Sequence, residues 1–343
     1  ANDGMLHAFA AKGSAATEAL VEDAATKYAA WYKDPLNNDL ITAKNAAKTA
    51  ANNALGADTT VGQELWAFIP SFSMPHLYKL ADKLYRNSGK HHYFIDATPV
   101  VGDICASSCG TGTAVWKTIL VGGLGRGGRG YYALDVTDPS SPKALWEFTH
   151  EHLGYSYGNP QIAKLSNGKW VVLVTSGYNN IPNEDGTGGD GVGRLFVLDA
   201  TTGVEVSGVS PISTGAGSVS DPSGLSKIIA QVRNPSFDNT IVAVYGGDLL
   251  GNLWRFDVNG DIGATGIEAQ LLATLKDGTT ATTKAQPITS KPEVGIVNDH
   301  VVVFVGTGRL LAGEDIADAS LQTLYAIKDT GVGTASPQVT PVF

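Results

Sequence analysis

The chain has 343 residues, 41 of them glycine, and a formal net charge of −9. That acidity argues against a nucleic-acid partner, which needs a basic stripe, and no apolar run approaches the roughly 20 residues that a membrane-spanning helix requires. Glycine stands well above its average usage of roughly 7%, which calls for many tight turns at positive φ.

In chain order, LHAF at Leu6 has the character of a short strand, and residues 14–56 then break that character. SAATEALVEDAATKYAAWY puts Leu20, Ala24, Tyr28 and Trp31 on one helical face, with Thr17, Glu18, Glu22 and Asp23 near the start. Pro35 interrupts it, and a second helix is predicted from Asp39, a candidate N-cap, to Gly56, a candidate stop. The apolar stripe is thin, so this hairpin is expected to lean on a larger body by few contacts, as surface decoration or as a partner-docking insertion. ELWAFI at Glu64 returns to strand character. A short helix capped by Ser73, with Pro75 in its first turn, is predicted to pack Leu77, Leu80 and Leu84 into a core. His91 and His92 adjoin YFID, read as a strand; neighbours on a strand face opposite ways, so the pair cannot chelate one ion.

From Thr98 onward the sequence repeats. A bulky–aromatic–x–bulky–Asp core appears as YYALD at Tyr131, LFVLD at Leu195 and LWRFD at Leu253, and more loosely as LYAIK at Leu324 and LHAFA at Leu6. Ahead of the four later copies stand an apolar run opened by Pro or Ser (TPVVGDI, NPQIAKL, LSKIIAQV, KPEVGIV) and a β-branched run (KTILVGGL, KWVVLVTSG, TIVAVYGGD, HVVVFVGTG). KALWEF at Lys143 is a fourth segment of this kind, and ELWAFI closes the first unit. Alternation of large and small residues is the period-two signature of strands, and a fixed period means stacked units that bury one another's faces. Four short strands per period describe a propeller blade. The expected fold is therefore all-β: a β-propeller of four-stranded antiparallel blades, four complete and a fifth starting late. One propeller domain is expected over 1–343, with a helical insertion at 14–56. The opening in mid-blade reads as a piece of a longer polypeptide. Tyr132, Phe196, Trp254 and Tyr325 should be equivalent in their blades.

Motifs that would carry chemistry are few. Cys105 and Cys109 in ICASSCGTG are spaced for a local hairpin disulfide, with free thiols as the alternative, and a bridge would imply an oxidising compartment. GLGRGGRG at Gly123 superficially resembles a phosphate loop, but no helix follows, so it reads as a blade turn with Arg126 and Arg129 solvated or on backbone carbonyls. HExxH, GxSxG and Walker patterns do not occur. Two loops offer oxygen ligands for a hard cation. One groups Asn179, Asn180, Asn183, Asp185 and Asp190; the other is NPSFDNTIV, where alternation would project Asn234, Ser236 and Asp238 to one side.

NDGMLHAF (2–9), ELWAFIPS (64–71), FIDATPVVGD (94–103), VGGLGRGGRGYYALDVTDP (121–139), GYSYGNPQIAKL (154–165), SGYNN (176–180) and GDLLGNLWRFDV (247–258) together resemble the C-terminal propeller of the PilY/PilC family. These are tip-associated biogenesis factors and adhesins of type IV pili in Gram-negative bacteria. The resemblance implies about seven blades, within the usual range for propellers. It also implies export to the periplasm, display at the pilus tip, cooperation with minor pilins, control of extension and retraction, and attachment to host-cell or abiotic surfaces. Family members carry a calcium loop whose first ligand positions fall on Asn234, Ser236 and Asp238. Here Asn239 replaces a glycine and Val242 the closing carboxylate, so this degenerate set is expected to bind calcium weakly. No other cofactor is implied. A quinoprotein-like dehydrogenase is the enzyme alternative, because LFVLDATTG (195–203) resembles the blade-locking motif of those propellers; that class needs adjacent cysteines, which Cys105 and Cys109 are not.

Overall fold

The computed structural model describes residues 3–35, 37–57, 61–85, 90–184, 186–278, 284–331 and 339–341. Met5–Ile69 forms one compact unit, and Gly4 with the chain from Pro70 onward belongs to a second.

In the first unit, β1 (Leu6–Phe9) is followed by α1 (Ala15–Lys33), α2 (Asn38–Ala57) and β2 (Glu64–Phe68). β1 and β2 pair antiparallel, Leu6 opposite Phe68, so the helices are carried as a hairpin between two strands. Ser14 caps α1 by accepting from the Thr17 N–H, while the Glu18 carboxylate reaches back to the Gly13 N–H at 3.0 Å; this satisfies two N–H groups that the helix itself cannot. The cap of α2 is Asn37, whose Oδ1 accepts from the Asp39 and Leu40 N–H groups, and not Asp39, which is the second residue of the helix. α2 also runs through Gly56 to Ala57 instead of stopping before it. Contact between the helices uses small buried residues, Ala47 and Ala51, and the Lys44 ammonium 3.8 Å above the Trp31 ring. Leu20 and Tyr28 remain exposed.

The second unit opens with a 3₁₀ helix over Met74–Ala81. Ser73 already has helical φ and ψ, so its hydroxyl makes no cap, and none of the helix residues is buried. Leu84 lies beyond the helix and is exposed, so the expected three-leucine core face does not form. Residues 93–96 make bends and not a strand. The Phe94 carbonyl lies against Gly127, so close that a Cβ on Gly127 would stand 1.8 Å from it.

Sixteen strands follow in four sets of four. The first blade is β3 (Val100–Ser107), β4 (Val115–Gly123), β5 (Tyr131–Asp135) and β6 (Lys143–Phe148). The second is β7 (Gln161–Lys164), β8 (Trp170–Thr175), β9 (Arg194–Asp199) and β10 (Ile212–Ser213). The third is β11 (Ile228–Asn234), β12 (Asp238–Gly247), β13 (Asn252–Asp257) and β14 (Glu268–Thr274). The fourth is β15 (Glu293–Val297), β16 (His300–Gly306), β17 (Leu324–Lys328) and β18 (Val339–Pro341). Within each blade neighbouring strands pair antiparallel, and a parallel bridge from Thr240 to Lys164 ties β12 to β7 across two blades.

The repeated core is the third strand of every blade. Tyr132 pairs with Gly122, Phe196 with Val174, Trp254 with Gly246 and Tyr325 with Val305, in each case the next-to-last residue of the second strand. Equivalence in sequence is therefore equivalence in register. Alternation then assigns faces. Tyr131 and Ala133 share a core with Phe196 and Leu198; Leu195 and Val197 share one with Trp254 and Phe256; Leu253 shares one with Tyr325 and Ile327. The third strands of the second and third blades thus bury one side against the blade before and the other against the blade after, whereas in the fourth blade Leu324 is exposed.

The terminal Asp of the core closes the turn that follows. Asp135 accepts from the Thr137 N–H and hydroxyl, Asp199 from those of Thr201, and Asp257 from the N–H groups of Asn259, Gly260, Ile262 and Gly263. In the second blade this turn also locks its neighbour. Trp146 donates its indole N–H to the Ala200 carbonyl at 3.0 Å, and its ring covers Gly203, whose φ of +70 and lack of a Cβ let the ring approach. Cys105 and Cys109 are bridged, with their Cα atoms 5.8 Å apart, at the end of β3.

Trp254 is the test of inter-blade packing, because its ring is buried and shared between two blades. Trp254→Ala should destabilise the blade unit by about 3–5 kcal/mol in denaturant titration. Deleting residues 14–56 should leave that unit's unfolding midpoint within error; loss of folding would make the helices structural.

Candidate binding face

Because strands alternate in direction, each loop joining strands two and three emerges at the same end of its blade as the connection into the next first strand. One end of the blades therefore collects residues 124–130, 176–184, 186–193, 248–251 and 307–323, with the approaching segments 90–99 and 149–160. The turn between strands one and two, such as 235–237, lies at the opposite end.

The first end carries a cleft of about 610 Å³ lined from all four blades. Its walls include Tyr93, Arg126, Tyr155, Tyr157, Tyr178, Asn179, Leu249, Arg309 and Asp315. Glycines flank most of these residues in sequence, and the chain there follows turns instead of strands. The Tyr157 and Tyr178 rings stand 5.4 Å apart, and burial raises both phenols above their ordinary range, with the Asp96 charge adding to the effect at Tyr157. The Arg126 guanidinium lies 4.8 Å above the Tyr93 ring. Arg309 donates Nε–H to Asp315 Oδ1 at 2.7 Å, while Asp315 Oδ2 accepts from the Leu311 and Ala312 N–H groups. Those backbone donors, first that of Leu311, hold the Asp315 carboxyl below its usual range.

The walls are stiffened from behind. Arg129 donates to the Ile181 and Asn179 carbonyls at 3.0 and 3.1 Å, joining the loops of two blades; of the two arginines in GLGRGGRG it takes carbonyls, whereas Arg126 stacks on Tyr93. The carboxylate of Asp248 is wholly buried and accepts from the Leu250 and Asn252 backbone, the Asn252 amide, Ser223 and the Trp254 indole. Burial raises its pKa even with these donors around it. Asn180 is buried and donates to the Val192 carbonyl; Asp190 receives both terminal nitrogens of Arg194 at 2.6 Å. The Asn179–Asp190 loop therefore spends the Asp190 carboxylate on Arg194, while Asn180 uses its amide N–H and leaves its buried Oδ1 without a partner among the described residues; Asp185 lies outside them. His92 sits beside His76 and Lys79, and burial followed by the Lys79 charge lowers its pKa. Sequence reasoning missed Tyr155, Tyr157, Tyr178 and Arg309 because a loop residue carries no periodicity; the remaining signal was aromatic residues between glycines.

At the opposite end, Asn234, Ser236 and Asp238 form a tight hairpin and do not alternate along a strand. Asn234 pairs with Asp238 and accepts from the Ser236 N–H. Asp238 accepts from the Thr240 hydroxyl and N–H, which lower its pKa, and the Lys164 ammonium stands 3.3 Å away. Val242 is inside β12. One carboxylate with a resident ammonium does not fit a calcium site, which needs several oxygens and net negative charge. Among the described residues no group of three or more His, Cys, Asp or Glu is arranged to hold a metal ion, and no helix is long and apolar enough to cross a membrane.

The fold and cleft define a β-propeller with a polar, aromatic loop face. The chain belongs to the PilY1 β-propeller domain family, whose model matches residues 1–341. It is 34% identical over 306 residues to the type IV pilus biogenesis factor PilY1 of Pseudomonas aeruginosa strain PAO1, covering 80% of this chain and 24% of that protein. A PilY1 homolog from Xylella fastidiosa strain Temecula1 is 34% identical over 280 residues, covering 80% of this chain and 20% of that protein. The chain thus spans about a quarter or less of these relatives' length. The crystal structure of the Pseudomonas aeruginosa PilY1 C-terminal domain superposes with a TM-score of 0.59 at 30% identity, over 79% of this chain and 54% of that one.

Calorimetric titration of chelator-treated protein should show no micromolar calcium binding; a micromolar site abolished by Asp238→Ala would overturn this reading of the hairpin. Acid stability should report Asp190. Its carboxyl is held at about 2 by the Arg194 guanidinium, below its ordinary 3.8. A depressed native pKa stabilises above the unfolded value, and the contribution fades as pH falls from 3.8 towards about 2. Arg194→Gln should therefore flatten the fall of the melting temperature across that window, modestly because the carboxylate is partly exposed.

Proposed function

We propose that this chain is the propeller of a type IV pilus biogenesis factor that acts by binding and without turnover. It is exported, carried at the pilus tip, engages minor pilins through loop surfaces, and promotes extension by opposing retraction. Twitching motility and attachment to host cells or other surfaces follow from that position. The observation that carries the reading is the family match over residues 1–341, together with relatives named as pilus biogenesis factors. The Cys105–Cys109 bridge supports an oxidising compartment outside the cytoplasm. Calcium does not enter this reading, because the Asn234–Asp238 hairpin does not fit the ion. The test is a chromosomal deletion scored for surface pili and twitching, with and without a block in retraction. Pili should be lost in the deletion and return when retraction is blocked. Normal piliation in a strain with no second copy would overturn the proposal.

A further inference from the structure

We propose that the cleft on the loop face is a docking site for an acidic segment of a protein partner, with one partner carboxylate on Arg126 and a neighbouring apolar side chain on the tyrosines and the aliphatic rim. The inference rests on the binding role argued above and adds the chemistry of what is bound.

Charge selects the carboxylate. Arg309 already has a counter-ion in Asp315. Arg126 is exposed, its face lies on Tyr93, and no carboxylate among the described residues, Asp96 included, is within ion-pair distance. Stacking occupies a face of a guanidinium and leaves its in-plane donors available, and that edge matches a carboxylate in a bidentate fork. The lining also carries the Glu314 carboxylate, but Arg126 is the arginine of the cleft that no carboxylate among the described residues pairs, in a chain of net charge −9.

The rim selects protein. The loop that supplies Arg309 and Asp315 also exposes Leu310 at 72% and Ile316 at 80%, with Leu311 and Leu321 exposed as well. Aliphatic side chains gain by burial against other aliphatic groups and gain little from sugar hydroxyls. Tyrosine and arginine gathered in one concavity, bordered by apolar residues, is the composition of an interface centre. The backing contacts of Arg129 and Asp248 hold the walls in place before a partner arrives, which lowers the entropy cost of binding.

The probe is the capped peptide Gly-Leu-Glu-Phe-Leu-Gly, compared by fluorescence anisotropy with its Gln-for-Glu counterpart on the 343-residue chain at physiological salt. The acidic peptide should bind at sub-millimolar concentration, and the amide peptide, Arg126→Gln and Tyr155→Ala should each weaken binding about five-fold or more. Arg233→Gln, at the opposite end of the blades, should change nothing, and circular dichroism checks that each variant folds. Equal binding of the two peptides, no binding of either, or indifference to Arg126→Gln would overturn the inference. So would binding of a glucuronate-containing oligosaccharide with none of the peptide, which would make the cleft a glycan site. Arg126→Gln in the chromosomal gene separates the two claims: wild-type piliation there, with pili lost in the full deletion, sinks the cleft and leaves the biogenesis role standing.

Discussion

Burial of both faces of the third strands in the two middle blades is the constraint on which the rest of the second unit depends. Phe196, Trp254 and Tyr325 turn towards the preceding blade, and Leu195 and Leu253 towards the following one, all at or near zero exposure except for slight exposure of Trp254 and Tyr325. A middle blade stripped of either neighbour would leave several large apolar side chains wet. The blades therefore stabilise one another, and a change in one side chain is felt on both sides of an interface. It also explains why YYALD and LFVLD read as unbroken apolar runs ending in Asp: both faces are buried, and the Asp begins the turn outside.

That packing leaves the ends of the strands as the only places where chemistry can vary without breaking the core. The two ends are used differently. At one, Asp135, Asp199 and Asp257 fold their turns onto themselves, Trp146 clamps the second blade's turn, and the Cys105–Cys109 bridge closes a small loop. At the other, the loops are longer and tyrosine-rich, joined from the first blade to the second by Arg129 and braced within the third by Asp248, so a cleft with stiff walls results. A binding role draws on the second end and stability on the first.

Charge placement follows the same division. The hairpin that family resemblance marks as a calcium loop holds one carboxylate, and the parallel bridge from Thr240 to Lys164 brings an ammonium beside it. The one carboxylate of the hairpin thus already has a cation beside it. In the cleft the reverse holds: Arg126 has an aromatic ring beneath it and no internal anion. Neither arrangement is a property of one segment. The first is created where two blades meet, the second where the segment leading into the first blade passes that blade's own loop.

The sequence by itself determined the blades, because period-two alternation and a core recurring at Tyr131, Leu195, Leu253 and Leu324 are local patterns that any register must respect. It also determined the helical character of 14–56, through alanine content and the spacing of Leu20, Ala24, Tyr28 and Trp31. Local patterns misled where two conformations compete over a few residues. Asn37 and not Asp39 caps α2, YFID bends instead of extending, and Asn234, Ser236 and Asp238 turn back on themselves instead of alternating. Only the tertiary structure decided the cleft. Tyr93, Arg126, Tyr155, Tyr178 and Arg309 come from loops far apart in the chain, with no shared spacing, and meet because antiparallel strands deliver them to one end. Likewise, whether a charge is paired depends on which blade lies beside it, and that distance in space is not encoded in any single stretch of sequence.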